Sequence, residues 1–259
     1  MPGLAHIDTG DAGRINKYIS DRGNLDRVMS VVQFASQVFI DPALAAGHPT
    51  LSNNLKTIME AASHYRTITR VSQWFVVTPI LNPKNMILFM TKSASSAIGL
   101  TRILSTSLFT LFLIGEELNL LTKMGILNLP ALTERTNRIR VVFLFYSNVC
   151  RLIMNYLILK DFNYDEAKQK KAAGDKSIER EYKRLLYAVW DGFLMTVYTY
   201  TMQKRALPAG PSHLPKALFS GDLVEIITAC APPVYAIPNT PQGLMGLIAS
   251  VPGFLSSFV

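Results

Sequence analysis

Apolar residues recur at helical spacing almost as soon as the chain settles into a pattern. In Asn24 to Ile40, Leu25, Val28, Met29, Val32, Ala35 and Phe39 share one side, while Asp26, Arg27, Ser30, Gln33 and Gln37 take the others. This predicts an amphipathic helix capped by Asn24 and ended by Asp41-Pro42. A second follows from Leu51 to Val71. There Leu51, Leu55, Ile58, Ala62 and Tyr65 form a stripe, and Lys56, Glu60, Ser63, Thr67 and Arg70 run along the other side with Arg66 at the border. Two readings fit this segment. It is a bundle helix packing its stripe on a neighbour, or a helix lying in the headgroup plane with Lys56, Arg66 and Arg70 towards anionic lipid.

Beyond Pro79 and Pro83 the pattern changes from amphipathic to continuously apolar. Ser93 to Ile114 reaches the length of about 20 residues that a transmembrane helix needs, but it contains Arg102. Strongly apolar residues contribute about −0.5 kcal/mol each against about +3 kcal/mol for an arginine, and serine and threonine erode what remains. The span is therefore energetically marginal, and Glu116 and Glu117 mark its end. Val141 to Leu159 has the same character, with Arg151 needing a partner, a water-filled cavity or a route to the interface. An interfacial or bundle helix suits this stretch better than a span.

Lys160 to Arg184 is mixed in charge and broken by Gly174, which predicts a solvated loop leading into a charged helix start. Leu185 to Met202 is apolar around Asp191, and an ionisable group in that setting marks a packed polar contact more often than a proton relay. No charge follows Glu225. This last stretch is the most secure prediction of a membrane segment. Its prolines break it, and Gln242 to Val259 reads as a short span with Gly243, Gly246 and Ser250 on a small-residue face.

The segments divide the chain into amphipathic N-terminal helices (1–82), central apolar helices (83–160), a charged loop (161–185) and C-terminal apolar helices (186–259). The expected fold is all-α, a helical membrane protein with one to three membrane-embedded helices. Composition agrees. Charged residues make up 17% of the chain, against about 25% in ordinary soluble proteins, and mean hydropathy is +0.22. The net charge of +8 suits either nucleic acid or an anionic membrane, and the low charge density favours the membrane. Cys150 and Cys230 lie in apolar stretches and read as buried thiols. The opening residues have neither the pattern of a secretory signal nor that of a mitochondrial presequence, and Ser257-Phe258-Val259 is not a Ser-Lys-Leu address, so targeting is expected to be internal.

Catalytic chemistry finds little footing. His6, His48, His64 and His213 are scattered away from metal-ligand spacing, and phosphate loops, dinucleotide fingerprints and nucleophile elbows are missing from the sequence. Neighbouring Glu116 and Glu117 point apart on a helix and fit a helix end better than paired carboxylates. The chain reads as a non-enzyme without a cofactor or metal site.

The order of these pieces resembles the peroxin-11 family, membrane proteins of peroxisomes and of the related glycosomes. The resemblance rests on several segments. These are Asp26-Arg27 through Gln33-Phe34, the Leu51-Ser52-Asn53-Asn54-Leu55 opening of a basic helix running to Arg66 and Arg70, the central LFLIGEELNLLTKMGIL, Ile178 to Met202 around Asp191, and a C-terminal GLMGLIASVPGFLSSF. The long charged loop and the proline run point to a divergent member of the glycosomal branch. The resemblance implies an integral peroxisomal or glycosomal membrane protein that elongates and multiplies the organelle. Leu51, Leu55, Ile58 and Tyr65 would insert into the membrane, and Lys56, Arg66 and Arg70 would lie at the lipid phosphates. It also implies self-association, a membrane-protein import receptor and fission machinery as partners, and no nucleic acid. Two other functions remain open on this reading. One is a channel for small metabolites lined by Arg102 and Arg151, and the other is a scaffold recruiting fission factors through Lys160 to Arg184.

Overall fold

A computed structural model describes residues 22–71, 73–172, 177–202, 211–231 and 237–255. Most of these residues are helical, and no strand occurs among them. In chain order the helices are α1 (Arg22–Ala45), α2 (Pro49–Thr69), α3 (Gln73–Val77), α4 (Pro83–Lys92), α5 (Ser96–Lys123), α6 (Pro130–Lys160), α7 (Tyr164–Ala172), α8 (Ser177–Met202), α9 (Leu214–Ser220), α10 (Leu223–Ala229) and α11 (Asn239–Leu255). Local chemistry sets several boundaries. Asn82 accepts from the Lys84 amide at 3.0 Å, Ser95 from Ile98 at 3.3 Å and Asp222 from Val224 at 2.8 Å, each satisfying an orphan donor of the first turn. Gly47 turns the chain between α1 and α2 at φ 80°, a conformation that a side chain disfavours.

Two helix ends differ from the sequence reading. α1 runs through Pro42 to Ala45, because a proline in the last turn removes a single ladder donor and leaves the remaining carbonyls to close the turn. α5 passes through Glu116 and Glu117 to Lys123, because both carboxylates find cationic or indole partners on neighbouring helices.

The long helices pack in the order α2, α1, α11, α8, α6, α5. Cross-helix pairs fix their directions. Ser52 bonds the Ile40 carbonyl, Asn155 bonds the Ala188 carbonyl, and Ser105 and Ser147 exchange hydroxyl–carbonyl bonds at 2.9 Å, so α1–α2, α6–α8 and α5–α6 are antiparallel pairs. The α5–α6 seam continues through Asn137–Asn119 at 3.1 Å and Thr122–Thr133 at 2.7 Å. Such polar pairs link helices where hydrophobic burial gives lipid-facing segments little drive to associate.

Among the described residues three helices are long and apolar enough to cross a membrane: Asn24–Ala45, Ser96–Lys123 and Ala131–Lys160. The distribution differs from the sequence reading. α1, read as amphipathic, is among them. α6, read as an interfacial or bundle helix, is among them too, and only part of the C-terminal stretch read as the most secure membrane segment is described, as α11. Its 17 described residues rise about 26 Å, and Gly243 and Gly246 seat it on α1 at Gln37, Val38 and Phe34. Residues 256–259 of that expected span lie outside the described residues, as do Pro232 and Pro233. The small-residue face that reads as a helix-packing motif packs closely on α1. Ala249 is fully buried beside Phe34 and Tyr198, whose rings meet edge to face at 4.8 Å. Cys150 is half-buried, but Cys230 is exposed and so does not fit the buried-thiol expectation.

A methyl group on Gly246 would sit 2.7 Å from the Phe34 ring, closer than van der Waals contact allows. Gly246→Ala is expected to destabilise the folded chain by about 1–3 kcal/mol. Leu244→Ala on the exposed side of α11 should change stability by less than about 0.5 kcal/mol. Thermal unfolding of both variants in one detergent checks the difference.

Candidate membrane interface and its ion network

The two sides of α2 meet different surroundings. Ala62 is buried, Leu55 is half-buried on the same side seven residues earlier, and Ser52 is tied to α1. On the adjoining edge Leu51, Ile58, Tyr65 and Ile68 are left 50%, 46%, 38% and 56% exposed, with Lys56 exposed beyond them. Spacings of seven and three keep these residues in a row along the helix. The stripe read from the sequence is thus split in two: Leu55 and Ala62 serve the bundle, and Leu51, Ile58 and Tyr65 remain uncovered. Ile68 extends the uncovered row and was missed because it falls outside the simple stripe.

Arg66 and Arg70, read as headgroup contacts, turn inward instead. Arg66 Nε meets Asp26 Oδ1 at 3.2 Å, its Nη1 donates to Gln33 Oε1 at 2.8 Å, and its guanidinium lies 5.6 Å from the centroid of the Phe34 ring. Arg70 bridges two carboxylates, with Nη2 2.9 Å from Asp26 Oδ2 and Nη1 3.4 Å from Glu116 Oε2. Arg140 Nη1 closes on the other oxygen of Glu116 at 3.1 Å. The result is a chain of alternating charges, Arg66–Asp26–Arg70–Glu116–Arg140, running through α2, α1, α5 and α6. Trp74 of α3 adds an indole bond to Glu117 at 2.8 Å.

Burial pushes Arg66 below the ordinary arginine value, with the neighbouring Arg70 charge acting the same way. At Arg70 the desolvation is outweighed by Asp26 and Glu116, which hold it above that value. Both guanidiniums stay cationic at physiological pH. The two arginines face inward because charge drawn partly out of water requires opposite charge within hydrogen-bond reach, and Asp26 and Glu116 supply it. The sequence signal for these partners was present but ambiguous. Asp26, Glu116 and Arg140 each stand at the edge of an apolar run, where a charge reads equally well as a simple helix-end marker.

The remaining candidates separate. Arg151 Nη2 pairs with Asp191 Oδ2 at 2.7 Å, so Asp191 makes a packed polar contact. Arg102 is exposed and lies 5.1 Å from the Phe89 ring centroid. The two arginines therefore engage different neighbours. No group of three potential metal-ligating side chains gathers among the described residues.

Removing one carboxylate from the ion chain leaves half-buried cations short of a partner. Asp26→Asn is expected to cost about 1–3 kcal/mol. The double variant Asp26→Asn/Arg70→Gln should cost less than the two single changes together, because each removes the other's unmatched charge. Chemical unfolding in detergent measures both.

The family model of peroxisomal biogenesis factor 11 (PEX11) matches residues 13–210. α1 to α8 fall inside that range, and α9 to α11, with the C-terminal segment that carried part of the sequence resemblance, fall outside it. No curated protein and no solved structure matches the chain. With residues 13–210 of 259 matched, including the whole of the ion chain and the uncovered row of α2, this chain belongs to the peroxisomal biogenesis factor 11 family.

Proposed function

We propose that this chain is an integral protein of the peroxisomal membrane that elongates and multiplies the organelle by setting the uncovered apolar row of α2 into one leaflet. The family assignment gives the coarser part, a peroxisomal membrane protein serving peroxisome proliferation and biogenesis. The observation that carries the mechanism is the division of α2. One side is fixed to α1 and α5 by Ser52, Arg66 and Arg70, while Leu51, Ile58, Tyr65 and Ile68 stay uncovered.

A helix held in this way enters a bilayer to a depth of about 5–10 Å, at the boundary of headgroups and acyl chains. Exposed Lys56 lies within reach of lipid phosphates, and anionic lipid strengthens the contact. Shallow insertion widens the headgroup layer of one leaflet only and so favours positive curvature. The three apolar helices hold the bundle in the membrane. Many anchored copies add their wedges together, which makes self-association part of the proposal. Arg66 and Arg70 contribute by orienting the helix rather than by binding headgroups.

Leu51→Glu/Ile58→Glu places two carboxylates on exposed positions of this row, leaving the packed side of α2 untouched. Expressed with a tag beside a peroxisomal matrix marker, the unaltered chain is expected to give longer and more numerous organelles. The double variant is expected to reach the same membrane without that effect. Elongation equal to that of the unaltered chain would exclude the row as the inserting surface.

A further inference from the structure

The hinge between α9 and α10 gathers apolar side chains that the described residues leave uncovered. Gly221 turns the backbone there at φ 68°, and Ala217, Thr228 and Ala229 are buried on the inner sides of the two helices. On the outer side Leu218, Phe219 and Leu223 are 59%, 94% and 68% exposed. Single apolar residues are ordinary on a protein surface, whereas a group of large ones at one tip marks a contact. α9 and α10 fall outside the range matched by the family model.

Two contacts fix the position of this tip along α6. Arg135 Nη2 approaches Asp222 Oδ2 at 3.7 Å beside the hinge, and Tyr146 donates its phenolic O–H to the Cys230 carbonyl at the far end of α10. α10 therefore runs alongside α6 in the same direction, from Arg135 to Tyr146. Over that stretch α6 passes from its charged turns, Glu134 to Arg140, into the apolar run from Val141 to Leu159. α6 is also one of the helices long and apolar enough to cross a membrane. With α6 in a bilayer, the hinge stands at the boundary where headgroups give way to acyl chains.

We propose that Leu218, Phe219 and Leu223 form a second lipid contact, a tip that enters the leaflet beside α6. This rests on the integral placement of α6 in the membrane and is independent of the α2 row. At that depth the surrounding medium is already lipid, so the tip is covered without a further partner. The local charges favour no strongly charged occupant. On α9, α10 and the adjoining turn of α6 they are Lys216 and Arg135 against Glu134, Asp222 and Glu225. Asp222 is taken up by Arg135 and the Val224 amide, and Glu225 accepts from the Ser220 hydroxyl at 2.8 Å. Apolar area, rather than attraction to anionic headgroups, draws the tip in.

The test uses the full chain in phosphatidylcholine nanodiscs, with Cys150 and Cys230 replaced by serine. A nitrobenzoxadiazole label is attached in turn through Phe219→Cys, Ile153→Cys and Lys168→Cys. Ile153 is exposed in the apolar run of α6, and Lys168 is exposed on the charged helix α7. Quenching by lipids carrying a nitroxide at a shallow or a deep acyl position is read against quenching by aqueous iodide. The expected result is shallow-nitroxide quenching and loss of iodide quenching at 219, deep-nitroxide quenching at 153, and iodide quenching alone at 168. Phosphatidylserine in the disc should leave the values at 219 unchanged. Leu218→Asp/Leu223→Asp, at two exposed positions, should return the label at 219 to iodide. Lipid quenching at 153 without any at 219 would overturn the tip while leaving the integral placement standing. Lipid quenching at neither would overturn both. Protection of 219 from iodide and nitroxide alike would also overturn the proposal, because protein would then cover the tip.

Discussion

The arrangement of this bundle turns on the need to neutralise five charges that its helices leave only partly exposed to water. Arg66, Asp26, Arg70, Glu116 and Arg140 alternate in sign and belong to four helices, so satisfying each one fixes the position of its neighbour. α2 and α5 otherwise meet sparingly, and the two-armed contact of Arg70 is what joins them. Apolar contacts are non-directional, whereas a charge-assisted hydrogen bond needs its partner within about 3 Å and well aligned. The ion chain therefore sets the rotation of α2 about its axis. With Arg66 and Arg70 held inward, the edge carrying Leu51, Ile58 and Tyr65 has to face outward. The charges govern how the apolar residues are presented.

The first turns of α1 connect this network to the rest of the molecule. Asp26 and Arg27 are adjacent, and a helix directs adjacent side chains about 100° apart. Asp26 reaches α2, while Arg27 lines the cleft between α6, α8 and α11. A methyl group on Gly253 would stand 3.1 Å from Asp191 Oδ1 and 3.7 Å from Arg27 Nε, which places the end of α11 directly over these groups. The small residues of α11 thus do two jobs. Gly246 and Ala249 admit the Phe34–Tyr198 pair, and Gly253 leaves room beside the polar cleft.

Much of this was legible in the sequence because period and composition carry it directly. The helical class, the apolar central segments, the split polarity around Leu51 to Arg70 and the family resemblance all follow from local patterns. The fate of individual charges did not. Arg66 and Arg70 are four residues apart on one face, a spacing that serves a row of lipid phosphates as well as a carboxylate on a neighbouring helix. Only the approach of Asp26 and Glu116, 40 and 46 residues away, decides between them. The packing of the C-terminal stretch was not legible for a related reason. Its lack of charge suits lipid and protein interior equally, and the seating of Gly243 and Gly246 on α1 is a tertiary fact. α1 shows the converse, since its few polar residues suggested a surface helix although its length and hydropathy suit a span.

The most direct test of the account is the depth of α2 in a bilayer while the bundle is intact. Spin labels at position 58 and at position 60, in a chain whose Cys150 and Cys230 are replaced by serine, can be compared by oxygen and nickel-chelate accessibility in anionic vesicles. Ile58 lies in the uncovered apolar row, and Glu60 is exposed on another side of the same helix. The account predicts a lipid-like oxygen preference at position 58 and aqueous exposure at position 60. Equal aqueous exposure at both positions would contradict it, because α2 would then be an ordinary solvated bundle helix.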